Sequence, residues 1–294
     1  MSQTILKIYR FIKIFCRKLQ EDHITAYSAM SAYFLLMSFI PFLMILLMLA
    51  KYLPFSEKDI LNLLNSSTLV NENVFLQTIL EEVFHQNNVT ILGITILFLL
   101  WSASKSVWGF MKGLNSVFDA KDVRGNMTLR LTAVLYTITV LFLIASILII
   151  LVFGSNIYNY ILLYYPVLSP ILSFLFKTRR IVSIFILTGF FLLLYMHIPR
   201  ITSTLRSQII GAIFTSCSWT LYAFFFSVYV NHFSNYTKLY GGLGAVLIFF
   251  LWLYMLMYLL FLGAEINFIF SPAGKLYYSS YNENTICTIF THKK

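Results

Sequence analysis

The sequence predicts an all-α, polytopic membrane protein with six transmembrane helices, and three observations carry that prediction. Of 294 residues, 59% are hydrophobic and only 11% charged, against about 25% charged in soluble domains, so there is too little charge to coat a water-soluble globule. The aromatic share is 18%, with 29 Phe and 19 Tyr, which suits a lipid-facing surface with interfacial belts. The third observation is the stretch Tyr240 to Phe270, YGGLGAVLIFFLWLYMLMYLLFLGAEINFIF, whose one charge between residues 243 and 267 is Glu265. At about 1.5 Å per residue that interval spans roughly 37 Å, more than the ~30 Å hydrocarbon core of a bilayer. Cys16, Cys217 and Cys287 are odd in number and far apart. They support neither a disulfide framework nor a thiolate metal site.

Residues 1–23 read as a basic amphipathic arm. Ile5, Ile8, Ile12, Phe15 and Leu19 recur at spacings of three and four, with Lys7, Arg10, Lys13, Arg17 and Lys18 between them. This is the pattern of a helix in the headgroup plane with its cations toward anionic lipid; a solvated basic tail is the alternative. No apolar core follows the charges within the arm, so it does not read as a secretory signal.

The six-helix membrane domain covers residues 24–270. Span one, about 24–50, carries Tyr27, Ser31 and Ser38 within about 40° of one line on a helix of 3.6 residues per turn. Pro41 removes a backbone hydrogen bond and is expected to bend its second half. Residues 54–88 are acidic, with Glu57, Asp59, Glu72, Glu81 and Glu82 against Lys58; helical spacing and a Ser56–Asp59 capping pattern predict short extracytoplasmic helices there. Span two, about 89–108, contains Lys105, which snorkels, and it is expected to run on past Trp108 into a cytoplasmic extension. Spans three to six cover about 131–153, 181–198, 209–230 and 243–270, and 271–294 is a tail. On the outer side fall Lys51, Lys58, Lys177, Arg179, Arg180 and Lys238, and the rest of the 21 lysines and arginines fall on the side of the N-terminus. The positive-inside bias therefore places both termini in the cytoplasm.

Polar groups inside the spans are the candidate functional residues. Tyr254 and Tyr258 project within about 20° of Glu265 on an ideal helix, and Asn267 follows two residues on. Ser216, Thr220 and Ser227 share a face of span five, as Tyr27, Ser31 and Ser38 do on span one. Packed inward, these stripes would form a weakly polar cavity with one ionisable group, suited to a polar headgroup whose acyl tails stay in lipid. Counted from Gly242, Glu265 lies roughly 35 Å along the helix, near the inner interface. Two roles stay open for it: pairing with Arg200, Arg206 or Lys105, or a direct part in transport or proton coupling. Gly241, Gly242 and Gly244 suit a tight turn into the helix or a hinge.

No catalytic, metal or cofactor site is predicted. His23, His85, His197, His232 and His292 are scattered, with no H-x-H or H-x-x-x-H pair. The sequence also lacks a phosphate-loop motif, a G-x-S-x-G elbow and an H-E-x-x-H motif.

Four segments together resemble the BrkB/YihY family of bacterial inner-membrane proteins: AYSAMSAYFLLMSFIPFLM, ILGITILFLLWSASKSVWGFMKGLNSVFD, SQIIGAIFTSCSWTLYAFFFSVYV and YGGLGAVLIFFLWLYMLMYLLFLGAEIN. Their order and spacing are similar to the family's over residues 22–270. The resemblance implies a six-helix protein of the cytoplasmic (inner) membrane, connected with envelope integrity and, in some members, with resistance to serum killing. A lipid or lipopolysaccharide-precursor transport role has been proposed for relatives. The expectation is therefore a transporter or flippase for a lipid-like or other amphipathic envelope component, with membrane lipids as partners. The alternative is a non-transporting scaffold that docks envelope proteins through residues 54–88. Oligomeric state stays open. Family members are also labelled ribonuclease BN, but neither an enzyme nor a nucleic-acid partner is expected here. Metal-dependent phosphodiester hydrolysis needs clustered His and Asp ligands, and the largest cytoplasmic loop offers only Asp119 and Asp122 among its cations.

Overall fold

The computed structural model describes residues 3–50, 89–120, 127–139, 141, 179–199, 204–232 and 242–279, and every regular element among them is a helix. These helices are α1 (Gln3–Glu21), α2 (Ile24–Ala50), α3 (Val89–Val117), α4 (127–139), α5 (Arg179–His197), α6 (Leu205–His232), α7 (Gly242–Phe270) and α8 (272–279). The expectations for 54–88, the second half of span three, Arg200, Gly241 and the end of the tail lie outside the described residues. Four described helices are long and apolar enough to cross a bilayer, over Ile24–Ile45, Gly93–Val117, Leu205–Val230 and Val246–Phe270. The apolar stretch Ser183–His197 is shorter. α2 continues as one helix through the buried Pro41. α3 runs on through Lys105 to Val117, as the snorkelling lysine allows.

The helices pack in the order α3, α2, α7, α6, α5, and small residues sit at the α2–α3, α6–α7 and α5–α6 contacts. Between α2 and α3, Ser31 Oγ donates to the Ser106 carbonyl at 3.3 Å and Ser106 Oγ donates to the Ser31 carbonyl at 2.8 Å. This reciprocal clasp satisfies two hydroxyls that lipid cannot hydrate. α6 and α7 approach so closely at Gly211 and Gly263 that a Cβ on Gly211 would overlap the Gly263 carbonyl and one on Gly263 would overlap Thr215 Oγ1. Asn267 Oδ1 accepts the Gly211 backbone N–H at 2.6 Å, and Trp219 Nε1 donates to the Leu256 carbonyl at 2.8 Å. Tyr195 of α5 is buried behind this crossing, donating to the Leu260 carbonyl at 2.6 Å with Thr215 Oγ1 2.8 Å away. Large apolar side chains such as Leu97, Phe224 and Leu251 stand exposed on the outer faces, as lipid-facing residues do.

The apolar core includes Ile24 at the start of α2, Met111, Leu114 and Val117 at the end of α3, and Phe261, Ala264 and Phe268 near the end of α7. The Phe110 ring meets that of Phe261 at a tilt, with centroids 5.6 Å apart, and Phe118 meets Phe268 edge-on at 6.5 Å. Those two pairs fix the register of α3 against α7. α7 then stops at Ser271, which caps α8: Ser271 Oγ accepts the Gly274 N–H at 3.0 Å. Pro272 occupies the first helical position, where a missing N–H costs nothing.

The α6–α7 crossing makes a direct prediction. Gly263→Ala should destabilise the folded protein by about 1–3 kcal/mol, because the new methyl overlaps Thr215 with backbone behind it. Gly189→Ala, where nothing lies within 4 Å, should not. Thermal unfolding of both variants in detergent is the check, and equal melting temperatures would contradict the close crossing.

Candidate functional site

The site is built by a corner in the chain. α1 ends at Glu21, and Asp22 and His23 turn the backbone into α2. His23 takes a left-handed conformation (φ 51°), and its N–H donates to the Gln20 carbonyl at 3.1 Å. The corner points Lys18 and Asp22, four residues apart, into the bundle. There Lys18 Nζ pairs with Asp22 Oδ2 at 2.7 Å, the two side chains 2% and 7% exposed. The sequence places Lys18 among the cations facing lipid headgroups, and the structure corrects this. Lys13 and Arg17 remain exposed, whereas Lys18 is drawn inward by partners that only the folded chain supplies.

Those partners come from three further elements. α3 ends in a left-handed cap: Asp119 (φ 49°) donates its N–H to the Ser116 carbonyl at 3.0 Å, and Ala120 donates to the Asn115 carbonyl at 2.8 Å. This hydrogen-bond pair is the Schellman arrangement, and aspartate tolerates the conformation better than most residues. Lys18 Nζ reaches the Val117 carbonyl at 3.4 Å and Asp119 Oδ2 at 3.9 Å, where the helix C-terminus carries negative partial charge. It also stands 4.4 Å from the ring centroid of Phe268 on α7 and 5.3 Å from that of Tyr277 on α8, within cation–π range.

Glu265 lies in the same cluster. It is 0% exposed, Asp22 faces it, and Lys18 and Asp119 are its other charged neighbours. Asp22 is within hydrogen-bonding reach of this carboxyl when one of the two acids carries a proton, and no other group bonds either oxygen. One ammonium thus serves two buried carboxyls, with Asp119 at the rim. Tyr277 and Tyr278 of α8 cover the cluster from the arm side: Tyr277 OH donates to Glu21 Oε2 at 2.8 Å, and the Tyr278 ring lies 5.6 Å from that of Phe11. The Tyr277 hydroxyl, with Arg17, holds the Glu21 carboxyl below the usual range. Burial first, and the Glu21 carboxylate second, push the Tyr277 phenol up. Burial and then Glu265 do the same to Tyr278.

The other sequence candidates are dispersed. Ser31 lies in the α2–α3 seam, and Ser38 Oγ donates within its own helix to the Leu35 carbonyl at 2.8 Å. Tyr27 packs half-buried against the core. Ser216 meets Thr188 of α5, their hydroxyl oxygens 2.6 Å apart. Thr220 and Ser227 are exposed, and the Thr220 hydroxyl is satisfied by the Ser216 carbonyl at 2.8 Å. Of these stripes, Ser31 and Ser216 fasten two separate helix seams, and the remaining members bond within their own helix, pack against the core or stand exposed. Tyr254 and Tyr258 stack on each other, with centroids 6.1 Å apart. Asn267 holds the α6–α7 crossing. Gly242 and Gly244 sit in the first turn of α7. Arg206 is exposed, and Lys105 lies over the rings of Trp101 and Phe34. By the α3–α7 register Lys105 is about ten residues, or roughly 15 Å, along the bundle from Glu265. Lys18, Asp22 and Gln208 were not singled out in the sequence; Gln208 is buried with neither end of its amide bonded. The one available signal was the i,i+4 spacing of Lys18 and Asp22 at a helix break.

A bundle of lipid-faced helices with an internally paired ion cluster defines a polytopic helical membrane protein. The family model described as Virulence factor BrkB matches residues 15–280, a range that includes the whole cluster, and the chain belongs to that family. It is 32% identical over 249 residues to the Putative ribonuclease-like protein YfkH of Bacillus subtilis (strain 168), covering 85% of this chain and 90% of that one. It is 26% identical over 262 residues to a UPF0761 membrane protein of Pseudoalteromonas atlantica, covering 87% and 84%. A UPF0761 membrane protein of Tolumonas auensis is 24% identical over 269 residues, covering 88% and 85%. No solved structure matches the chain.

Removing the ammonium tests the cluster. Lys18→Met leaves two buried carboxyls unmatched and should destabilise the protein by about 3–5 kcal/mol, whereas the paired change Lys18→Met, Asp22→Leu should cost clearly less. Chemical denaturation in detergent of these two variants and of Asp22→Leu alone measures the coupling; additive losses would show that the two side chains do not interact.

Proposed function

We propose that this chain is a six-span protein of the bacterial cytoplasmic membrane, both termini inside, that moves a lipid-like, amphipathic component of the envelope. The observation that supports this best is Glu265, a fully buried carboxyl set against Asp22 and beside the Lys18–Asp22 pair in a bundle whose surroundings are otherwise apolar. An ionisable group kept in such a place at a cost of several kcal/mol is a functional site by default. The cluster joins the ends of α2, α3 and α7 to the arm and to α8. Lys18 pairs with Asp22 here, and Glu265 and Asp119 are within its electrostatic reach. Transfer of the ammonium from Asp22 to Glu265 would keep a buried pair in a second seating of the arm, so the observed seating and that one would share a pairing but not the other Lys18 contacts. Alternation between them is the motion that transport requires.

The basic excess on the side of the N-terminus supports the orientation. The ribonuclease-like name belongs to the Bacillus subtilis relative. In this chain the buried cluster sets carboxyls around a lysine, a donor set suited to pairing and switching rather than to phosphodiester hydrolysis. Our reading assigns the chain no enzymatic reaction.

Translocation of labelled phospholipid across reconstituted vesicles is the test. Wild type should accelerate it, and Glu265→Gln should reach the membrane folded yet lose most of the acceleration. Full activity in that variant would remove Glu265 from the mechanism, and no acceleration by wild type would remove transport.

A further inference from the structure

A second charged feature lies between α2, α3 and α4. A cavity of about 460 Å³ opens between α2, α3 and α4, walled by Met30, Phe34, Trp101 and Trp108, with Lys105 and Arg130 among its lining residues. Lys105 Nζ stands 4.4 Å from the Trp101 centroid and 5.3 Å from that of Phe34, and the neighbouring Lys112 lies 4.1 Å over Trp108. Among the described residues neither Lys105 nor Arg130 has a carboxylate partner. The surroundings are apolar and face outward. Leu97, which precedes the cavity on α3, is 69% exposed, and Leu135, which follows it on α4, is 67% exposed.

Two cations that have no carboxylate partner among the described residues, beside a hydrocarbon-facing surface, offer charge to an anion, and basic pockets between membrane helices suit anionic headgroups. The size falls in the range of ordinary ligand sites. We propose that this cavity binds the phosphate of an anionic membrane lipid. Lys105 and Arg130 make the charged contacts, the aromatic walls hold the glycerol region, and the acyl chains lie along the exposed apolar strips of α3 and α4. The inference rests on the chain being embedded in a bilayer and not on transport: selective binding without translocation keeps the site and removes only the transport reading.

Trp101 and Trp108 line the cavity, and replacing the other two tryptophans (Trp219→Phe, Trp252→Phe) in every protein tested, the reference called wild type included, leaves them as the reporters. The full-length protein is placed in phosphatidylcholine nanodiscs doped with brominated-chain phosphatidylglycerol or, separately, brominated-chain phosphatidylcholine, and tryptophan quenching is followed. The wild type should be quenched at a lower mole fraction of phosphatidylglycerol than of phosphatidylcholine. Lys105→Gln and Arg130→Gln should each weaken that preference roughly fivefold, while Lys105→Arg and Arg130→Lys, which keep the charge and control for folding, should retain it. Excess inorganic phosphate should leave the quenching unchanged. Equal quenching by the two lipids, or an undiminished preference in the double glutamine variant, overturns the proposal. Relief of quenching by inorganic phosphate also overturns it, by showing a site for the free anion.

Discussion

Lys18 carries its ammonium into a place water does not reach, and everything that makes this tolerable comes from other parts of the chain. Asp22 supplies the counter-charge at 2.7 Å, the end of α3 supplies a carbonyl and Asp119, α7 supplies the face of Phe268, and α8 supplies Tyr277. A buried ion pair is weak evidence of stability by itself, since its desolvation roughly offsets its attraction. Its effect here is specificity. Only one seating of the arm brings these partners together, so the pair sets where α1 and α8 sit relative to the ends of α2, α3 and α7. Glu265 inherits its surroundings from that arrangement.

The uncharged polar residues follow a different rule. In hydrocarbon a hydroxyl or a close-approaching glycine has most effect where two helices touch, because lipid provides neither hydrogen bonds nor an apolar driving force between helices. Ser31 with Ser106, Ser216 with Thr188, and Gly211 with Gly263 each occupy such a seam. A shared helical face is thus compatible with two fates, lining a cavity or fastening a neighbour, and packing selects the second for these groups.

The bundle consequently holds two kinds of charge at two levels. Near the arm a lysine is enclosed among carboxyls, and about ten residues along α3, roughly 15 Å away, Lys105 and Arg130 border an open aromatic cavity. The enclosed cluster is self-paired and suited to positioning helix ends. The open pair looks outward to the lipid and offers charge to something that is not part of the chain.

Much of this was legible from composition and pattern. The all-helical membrane class, the long apolar helices, the amphipathic arm, the passage of α3 beyond Lys105 and the oddity of a carboxyl at Glu265 all come from properties that neighbouring residues in one segment express: hydropathy, period and isolated charge. What covers Glu265 was not legible. Its expected counter-ions were cations of the neighbouring loops and of span two, whereas the cation beside it is Lys18, which in its own segment looks like any headgroup-facing lysine. The i,i+4 spacing to Asp22 identifies a possible pair but not its burial. The sequence by itself therefore determined which segments are helical and apolar enough to suit a membrane and which residues are chemically out of place in them. Only the tertiary structure decided which of those residues meet, because burial of a charge depends on groups from α3, α7 and α8 converging on it, a long-range property that no local pattern encodes.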